Sequence, residues 1–141
     1  MAEKILIVDD DPDILEAMRM VLEAQSFEVH SAVNGTDGLK KVKAVNPDLI
    51  ILDVMMDQLT EGFQVTYTLK NVEPGSEYAP YAKIPILMLS SFPKKMVEEG
   101  SEKFQHLLGE HWPVTHFLEK PVEPEELLST VENLIAQPKQ T

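Results

Sequence analysis

Short apolar runs alternate along the chain with longer segments whose apolar residues recur at helical spacing. The first run, Lys4 to Val8, leads to Asp11-Pro12-Asp13, where an acidic cap and a proline at the first helical position announce a helix with Ile14, Met18, Val21 and Leu22 on one face. A second run, Phe27 to Ala32, alternates apolar with polar residues as a half-solvated strand does, and Asn34-Gly35 turns into a helix carrying Leu39, Val42 and Val45. Asn46-Pro47 stops that helix. Leu49 to Leu52 is apolar throughout, which suits a central parallel strand covered on both faces, and it ends at Asp53.

The pattern is ambiguous in the next segment. Phe63, Val65, Tyr67 and Leu69 alternate like a strand, yet Val65, Leu69 and Val72 also fit one face of a helix. The alternation of elements favours a helix. Pro74 to Lys83 reads as a loop, Ile84 to Leu89 as a fourth strand ending at Ser90-Ser91, and Val114 to Leu118 as a fifth ending at Glu119-Lys120-Pro121. A last helix starts near Pro124 with Leu127, Val131, Leu134 and Ile135 on one side, and Gln137 to Thr141 is a polar tail. Strand followed by helix, repeated along the chain, predicts an α/β fold: a doubly wound parallel sheet in the order 2-1-3-4-5, with right-handed crossovers and strands 1 and 3 side by side at the switch point.

In that fold the polar residues that follow each strand share one rim. Asp9 and Asp10 follow strand 1, Asp53 follows strand 3, Ser90 and Ser91 follow strand 4, and Lys120 follows strand 5. Clustered carboxylates repel one another unless a cation or a proton intervenes, and hard oxygen ligands select Mg²⁺, with Mn²⁺ as the alternative. An ammonium and a hydroxyl beside such a metal could hold the oxygens of a phosphoryl group, so the constellation reads as phosphoryl transfer. The chain has no cysteine, and Asp53 on the central strand is the best-placed carboxylate to accept the group covalently.

Composition narrows the function classes further. Among 141 residues there are 24 acidic and 12 basic side chains, a net charge of −12, which argues against direct binding of nucleic acid or an anionic membrane. The absence of cysteine fits a reducing cytoplasm, and no apolar stretch is long enough for a signal peptide core or a membrane span. From Met96 onward nine acids face three lysines, so half of the net charge lies there. That excess predicts an output partner with a basic docking face.

Four segments, Lys4 to Asp11, Leu49 to Met55, Ile86 to Ser91 and Phe117 to Pro121, resemble in order and context the signatures of the receiver domain of two-component response regulators. The resemblance covers essentially the whole chain and is closest in kind to single-domain chemotaxis-type regulators. It implies a flavodoxin-like (βα)₅ fold and Mg²⁺-dependent transfer of a phosphoryl group from the phosphohistidine of a sensor histidine kinase or phosphotransfer protein to Asp53. Asp10 and Asp53 would then ligate the metal with the Met55 carbonyl, and Asp9 would assist through water. Ser90 stands where the family bonds the phosphoryl oxygen, Lys120 where a lysine pairs with the acceptor, and Phe117 where a switch aromatic swings inward. Such a domain accepts a phosphoryl group and releases it again; it is not a turnover enzyme.

The sequence also departs from the family pattern. Asp57 replaces a usual proline, Gly62 comes one place late, and insertions fall near 74–83 and 98–113. The expected organisation is a stand-alone receiver over 1–136 with a tail over 137–141. Met55 and Phe92 are bulky and apolar beside the acceptor site, which predicts slow hydrolysis of the acyl phosphate. His106, His111, Phe104 and Trp112 in the longer insertion are read as packing or exposed loop residues rather than ligands, and Met18 and Phe27 as core. Two rival readings are a haloacid-dehalogenase-type phosphatase, with Asp9 and Asp11 as its acid pair, and an interaction module that works without phosphorylation.

Overall fold

The computed structural model describes residues 2–53, 65, 68, 69, 77–90 and 116–136. Five parallel strands form one sheet in the order β2-β1-β3-β4-β5: β1 Lys4–Val8, β2 Glu28–Ala32, β3 Leu49–Asp53, β4 Ile86–Ser90 and β5 His116–Glu119. The described helices are α1 (Pro12–Glu23), α2 (Gly35–Val45) and α3 (Pro124–Ala136). Between β3 and β4, Val65, Thr68 and Leu69 are helical, and Val65 and Leu69, one turn apart, are both buried. The helical reading of that ambiguous segment therefore holds at the residues described.

Alternation along the strands sorts the core into two layers. Leu6 and Val8 of β1, Ile50 and Leu52 of β3, and Ile86 and Met88 of β4 face Val42 of α2 together with Val65 and Leu69. Ile5, Ile7, Ile51, Leu87 and Leu89 face the other way, against Leu15, Met18 and Leu22 of α1 and Leu127, Val131 and Leu134 of α3. The central strand β3 is buried at every position, whereas the edge strand β2 is buried only at Ala32, as its polar alternation requires. Leu15 joins the buried face of α1, and Ile14 and Val21 flank it. Among the described residues no helix is long and apolar enough to cross a membrane.

The element ends follow local chemistry. Asp11 is the N-cap of α1, its carboxylate accepting from the Asp13 N–H at 2.9 Å with Pro12 at the first helical position. Asn34 caps α2 through the Asp37 N–H at 2.8 Å, and Asn46 ends that helix in the left-handed conformation. Two strands begin later than their apolar runs. Pro85 has no N–H to give the ladder, so β4 starts at Ile86, while Ile84 bonds back to the Tyr81 carbonyl of a 3₁₀ turn at Ala79–Tyr81. Phe27 donates to Leu22 at the end of α1 instead of entering β2. Expectations that concern Met55, Asp57, Gly62, Phe92, residues 98–113 and the tail 137–141 lie outside the described residues.

Candidate functional site

The strand order brings the predicted residues to one rim. Asp9 and Asp10 continue directly from β1, Asp53 is the last residue of the adjacent β3, Ser90 is the last of β4, and Lys120 follows β5. Register sets their levels, with Val8 opposite Leu52, Asp53 opposite Leu89 and Ser90 opposite Glu119. One carboxylate oxygen from each of Asp9, Asp10 and Asp53 lies within 4.8 Å of the others. Asp9 and Asp53 are buried, at 0% and 2% exposure, while Asp10 is not.

Each contact has a local cause. The Asp9 N–H donates to the Ala32 carbonyl at 3.1 Å, which extends the β1–β2 ladder by one residue and fixes the carboxylate at the strand's end. Its Oδ1 accepts from the Asp11 N–H at 2.9 Å, closing the turn into α1. Among the described residues its buried Oδ2 has no hydrogen-bond partner, and Lys120 Nζ lies 3.8 Å from it. Lys120 donates from Nζ to Asp53 Oδ1 at 3.0 Å. Among the described residues, the Lys120 ammonium thus meets two of the three clustered carboxylates.

Burial pushes the Asp9 carboxyl up to about 6; the Asp11 N–H opposes this, the Asp53 charge adds to it and Lys120 counteracts it. An ionised carboxylate with an orphaned buried oxygen is costly, and a divalent cation among the three acids would supply the missing partner. The donor set is all oxygen, so the residues present fit Mg²⁺. Asp11 is not among the converging acids, since its carboxylate caps α1. The acid pair required by the dehalogenase-type reading is therefore not assembled. Ser90 and Phe117 stand at the expected backbone positions on β4 and β5. Met55 is outside the described residues.

Residue-by-residue reading passed over Gly38, whose neighbour is Val8, immediately before the acid pair. The available signal was a glycine inside a helical pattern, where glycine is disfavoured.

Comparison with known proteins agrees with this geometry. Residues 5–132 match the response regulator receiver domain family. The alkaline phosphatase synthesis transcriptional regulatory protein PhoP of Bacillus subtilis is 31% identical over 135 residues, covering 96% of this chain and 49% of PhoP. Protein PilH of Pseudomonas aeruginosa is 29% identical, covering 94% of this chain and 98% of PilH. The chain thus spans about half the length of the transcriptional regulators it matches and nearly all of PilH. Among solved structures, the chemotaxis response regulator CheY4 of Vibrio cholerae superposes with a TM-score of 0.75 at 29% identity, covering 95% of this chain and 99% of CheY4. Receiver domains are signalling domains that bind Mg²⁺ at an acidic pocket and interact with histidine kinases or phosphotransfer proteins, and this rim has that acidic pocket. With the family matched from β1 into α3 and the acids gathered where its phosphoacceptor site lies, the chain belongs to the receiver domain family of two-component response regulators.

Proposed function

We propose that Asp53 is the phosphoacceptor of this chain, taking a phosphoryl group from a phosphohistidine on a sensor histidine kinase or phosphotransfer protein. The observation that carries the reading is the buried Asp53 carboxylate, its Oδ1 held by Lys120 Nζ at 3.0 Å beside the acids of Asp9 and Asp10. Asp10, Asp53 and the Met55 carbonyl would hold Mg²⁺, with Asp9 acting through water. When bound, the ion would offset the charge of the acids and of the incoming phosphoryl oxygens.

The remaining work falls to the chain's own groups. An Asp53 oxygen attacks phosphorus in line; the P–N bond breaks, and the imidazole leaves with its electron pair and takes up a proton. Lys120 neutralises charge on the same side as the acceptor. Ser90, at the end of β4, is assigned to the phosphoryl oxygen, and Phe117 in β5 to the inward switch, both by likeness to the family. Docking changes when that charge change biases the surface between β4 and α3.

The domain reading is one receiver over 1–136, with 137–141 outside it, acting in the cytoplasm. Its output partner carries a basic face, matched to the acid excess beyond Met96. Incubation with acetyl phosphate and Mg²⁺, read by intact mass, tests the acceptor assignment. The parent should gain one phosphoryl group, and neither EDTA-treated protein nor Asp53→Asn should; labelling that survives Asp53→Asn would refute it.

A further inference from the structure

Charge is sorted by layer in this molecule. On one side of the sheet α2 carries Lys40, Lys41 and Lys43 against a single acid, Asp37, and all four are exposed. Lys83, also exposed, follows the turn whose Tyr78 and Tyr81 pack on that layer. On the other side, α3 and the residue before it present Glu123, Glu125, Glu126 and Glu132, all exposed, with no basic residue between Pro121 and Ala136. Beside α3, α1 adds Asp13, Glu16 and Glu23 against Arg19, whose guanidinium donates to Ser31 Oγ. In a chain of net charge −12, a helix with an excess of lysine stands out.

These groups are not used up within the chain. Lys43 pairs with Glu77, but among the described residues Lys40, Lys41 and Lys83 have no ion-pair partner, and neither have Glu125 and Glu132. Glu125 and Glu132 lie two helical turns apart and so share one face of α3. The exposed apolar side chains are divided as well. Among the described residues the large ones are Met20 on α1, 65% exposed, and Val33 at the entry to α2, 49% exposed.

We propose that the lysine face of α2 is a docking surface for a second copy of this chain, met through the acidic face of that copy's α3 and α1. The complementary surface is on the same molecule, which is what selects this occupant. Because the two faces lie on opposite layers of the sheet, the contact is head to tail, and a pair of copies leaves one face free at each end. The strand ends that carry Asp9, Asp10 and Asp53 lie between the layers and take no part in it. The inference does not depend on the phosphoacceptor reading.

Exposed ion pairs are individually weak, and two helical faces cover less than the ~1,200 Å² at which standard interfaces begin, so the association is a weak one. Salt acts on it in two ways. Attraction between the faces operates at contact, whereas the net negative charge repels over a Debye length, ~30 Å at 0.01 M salt and ~10 Å at 0.1 M. Association should therefore peak near ~0.1 M salt and fall on both sides of it.

Sedimentation equilibrium of the whole chain is the test. At ~0.1 M salt the weight-average mass should rise by about half or more between ~0.01 and ~0.5 mM protein, and by less at ~0.01 M or ~1 M salt. Lys40→Glu with Lys41→Glu should leave a monomer. So should Glu125→Lys with Glu132→Lys, although that pair reduces the net charge and would promote association if overall repulsion governed it. Mixing the two variants should restore association, since each retains the face the other has lost. All four positions are exposed, so melting temperatures should stay close to the parent's. Where a reversal fails to fold, glutamine at the same two positions replaces it and should weaken association in the same sense.

A parent that is monomeric throughout would overturn the proposal, as would association undiminished at ~1 M salt, which an ionic contact does not survive. Association that persists in Glu125→Lys with Glu132→Lys, or a mixture of the two variants that stays monomeric, would remove the acidic face as the occupant and refute it equally.

Discussion

Lys120 Nζ sits 3.0 Å from Asp53 Oδ1, joining residues 67 positions apart at the mouth of two strands that are not neighbours in the sheet. Among the described residues the pair is the shortest ionic contact within the acid cluster, and Lys120 is only partly exposed, at 19% of its side chain. Removing one partner of a buried pair leaves the other uncompensated. Lys120→Met should therefore lower metal-free stability by about 2 kcal/mol, below the range for fully buried pairs because water reaches the lysine. Urea denaturation in EDTA checks this, and Mg²⁺ should narrow the difference between variant and parent.

The raised Asp9 carboxyl sets a pH dependence for the metal-free protein. Folded Asp9 keeps its proton up to about 6, while the unfolded chain loses it near the ordinary 3.8. Between those values the native state binds more protons, so this group's contribution to stability is complete below the lower value and is lost as pH rises through the upper one. Asp9→Asn removes the buried charge. In EDTA the variant should be more stable than the parent at neutral pH by on the order of 2 kcal/mol, with the gap closing below about pH 4. Denaturation of both proteins across that range measures it.

The same acids should make the fold ligand-dependent. Mg²⁺ at about 100 times its dissociation constant would stabilise the native state by about 2.7 kcal/mol if the unfolded chain does not bind it. Asp10→Asn should lose most of that gain while changing metal-free stability little, because Asp10 is not buried. Thermal melts with and without Mg²⁺ distinguish this variant from Asp9→Asn, which gains stability when the metal is absent.

A brace on the opposite layer predicts a purely structural phenotype. Lys43 of α2 pairs with Glu77 and lies 4.6 Å from the centre of the Tyr78 ring, while Tyr78 and Tyr81, with centroids 6.4 Å apart, pack on the core layer of α2. Tyr78→Ala should cost about 2 kcal/mol, less than a fully buried aromatic, without altering Mg²⁺ affinity. Lys43→Gln should matter little, since its ion pair is exposed. Urea midpoints and Mg²⁺ titration of the two variants decide.

These contrasts show what the sequence carried. Each strand announced itself because burial on both faces demands an unbroken apolar run, as in Leu49 to Leu52, and edge position demands alternation, as in Glu28 to Ala32. The acids were legible because they fall immediately after those runs, and strand order alone then gathers Asp9, Asp10 and Asp53. Strand starts at Pro85 and Phe27 were less legible, since hydrogen bonding and not hydropathy decides where a ladder begins. Long-range contacts were not legible. Nothing local to Gly38 says that Val8 lies under it, nor does anything near Lys43 predict the ring of Tyr78.

Salt should separate docking from chemistry. If the acid excess beyond Met96 meets a basic partner, association should weaken steeply between low and physiological ionic strength, chiefly through a slower on-rate. Labelling of Asp53 by the small donor acetyl phosphate should change little over the same range. Surface plasmon resonance and intact mass measure the two, and binding indifferent to salt would remove the electrostatic account of the partner.

The central claim is that the phosphoryl group resides on Asp53 as an acyl phosphate, and its direct test is chemical trapping. Protein labelled with acetyl phosphate and Mg²⁺ is reduced with borohydride, which converts an aspartyl phosphate to homoserine, and is then digested and mapped by mass spectrometry. The account predicts homoserine at position 53 alone, absent without Mg²⁺. Homoserine at Asp9 or Asp10, or label that resists borohydride and maps to a histidine, would contradict it.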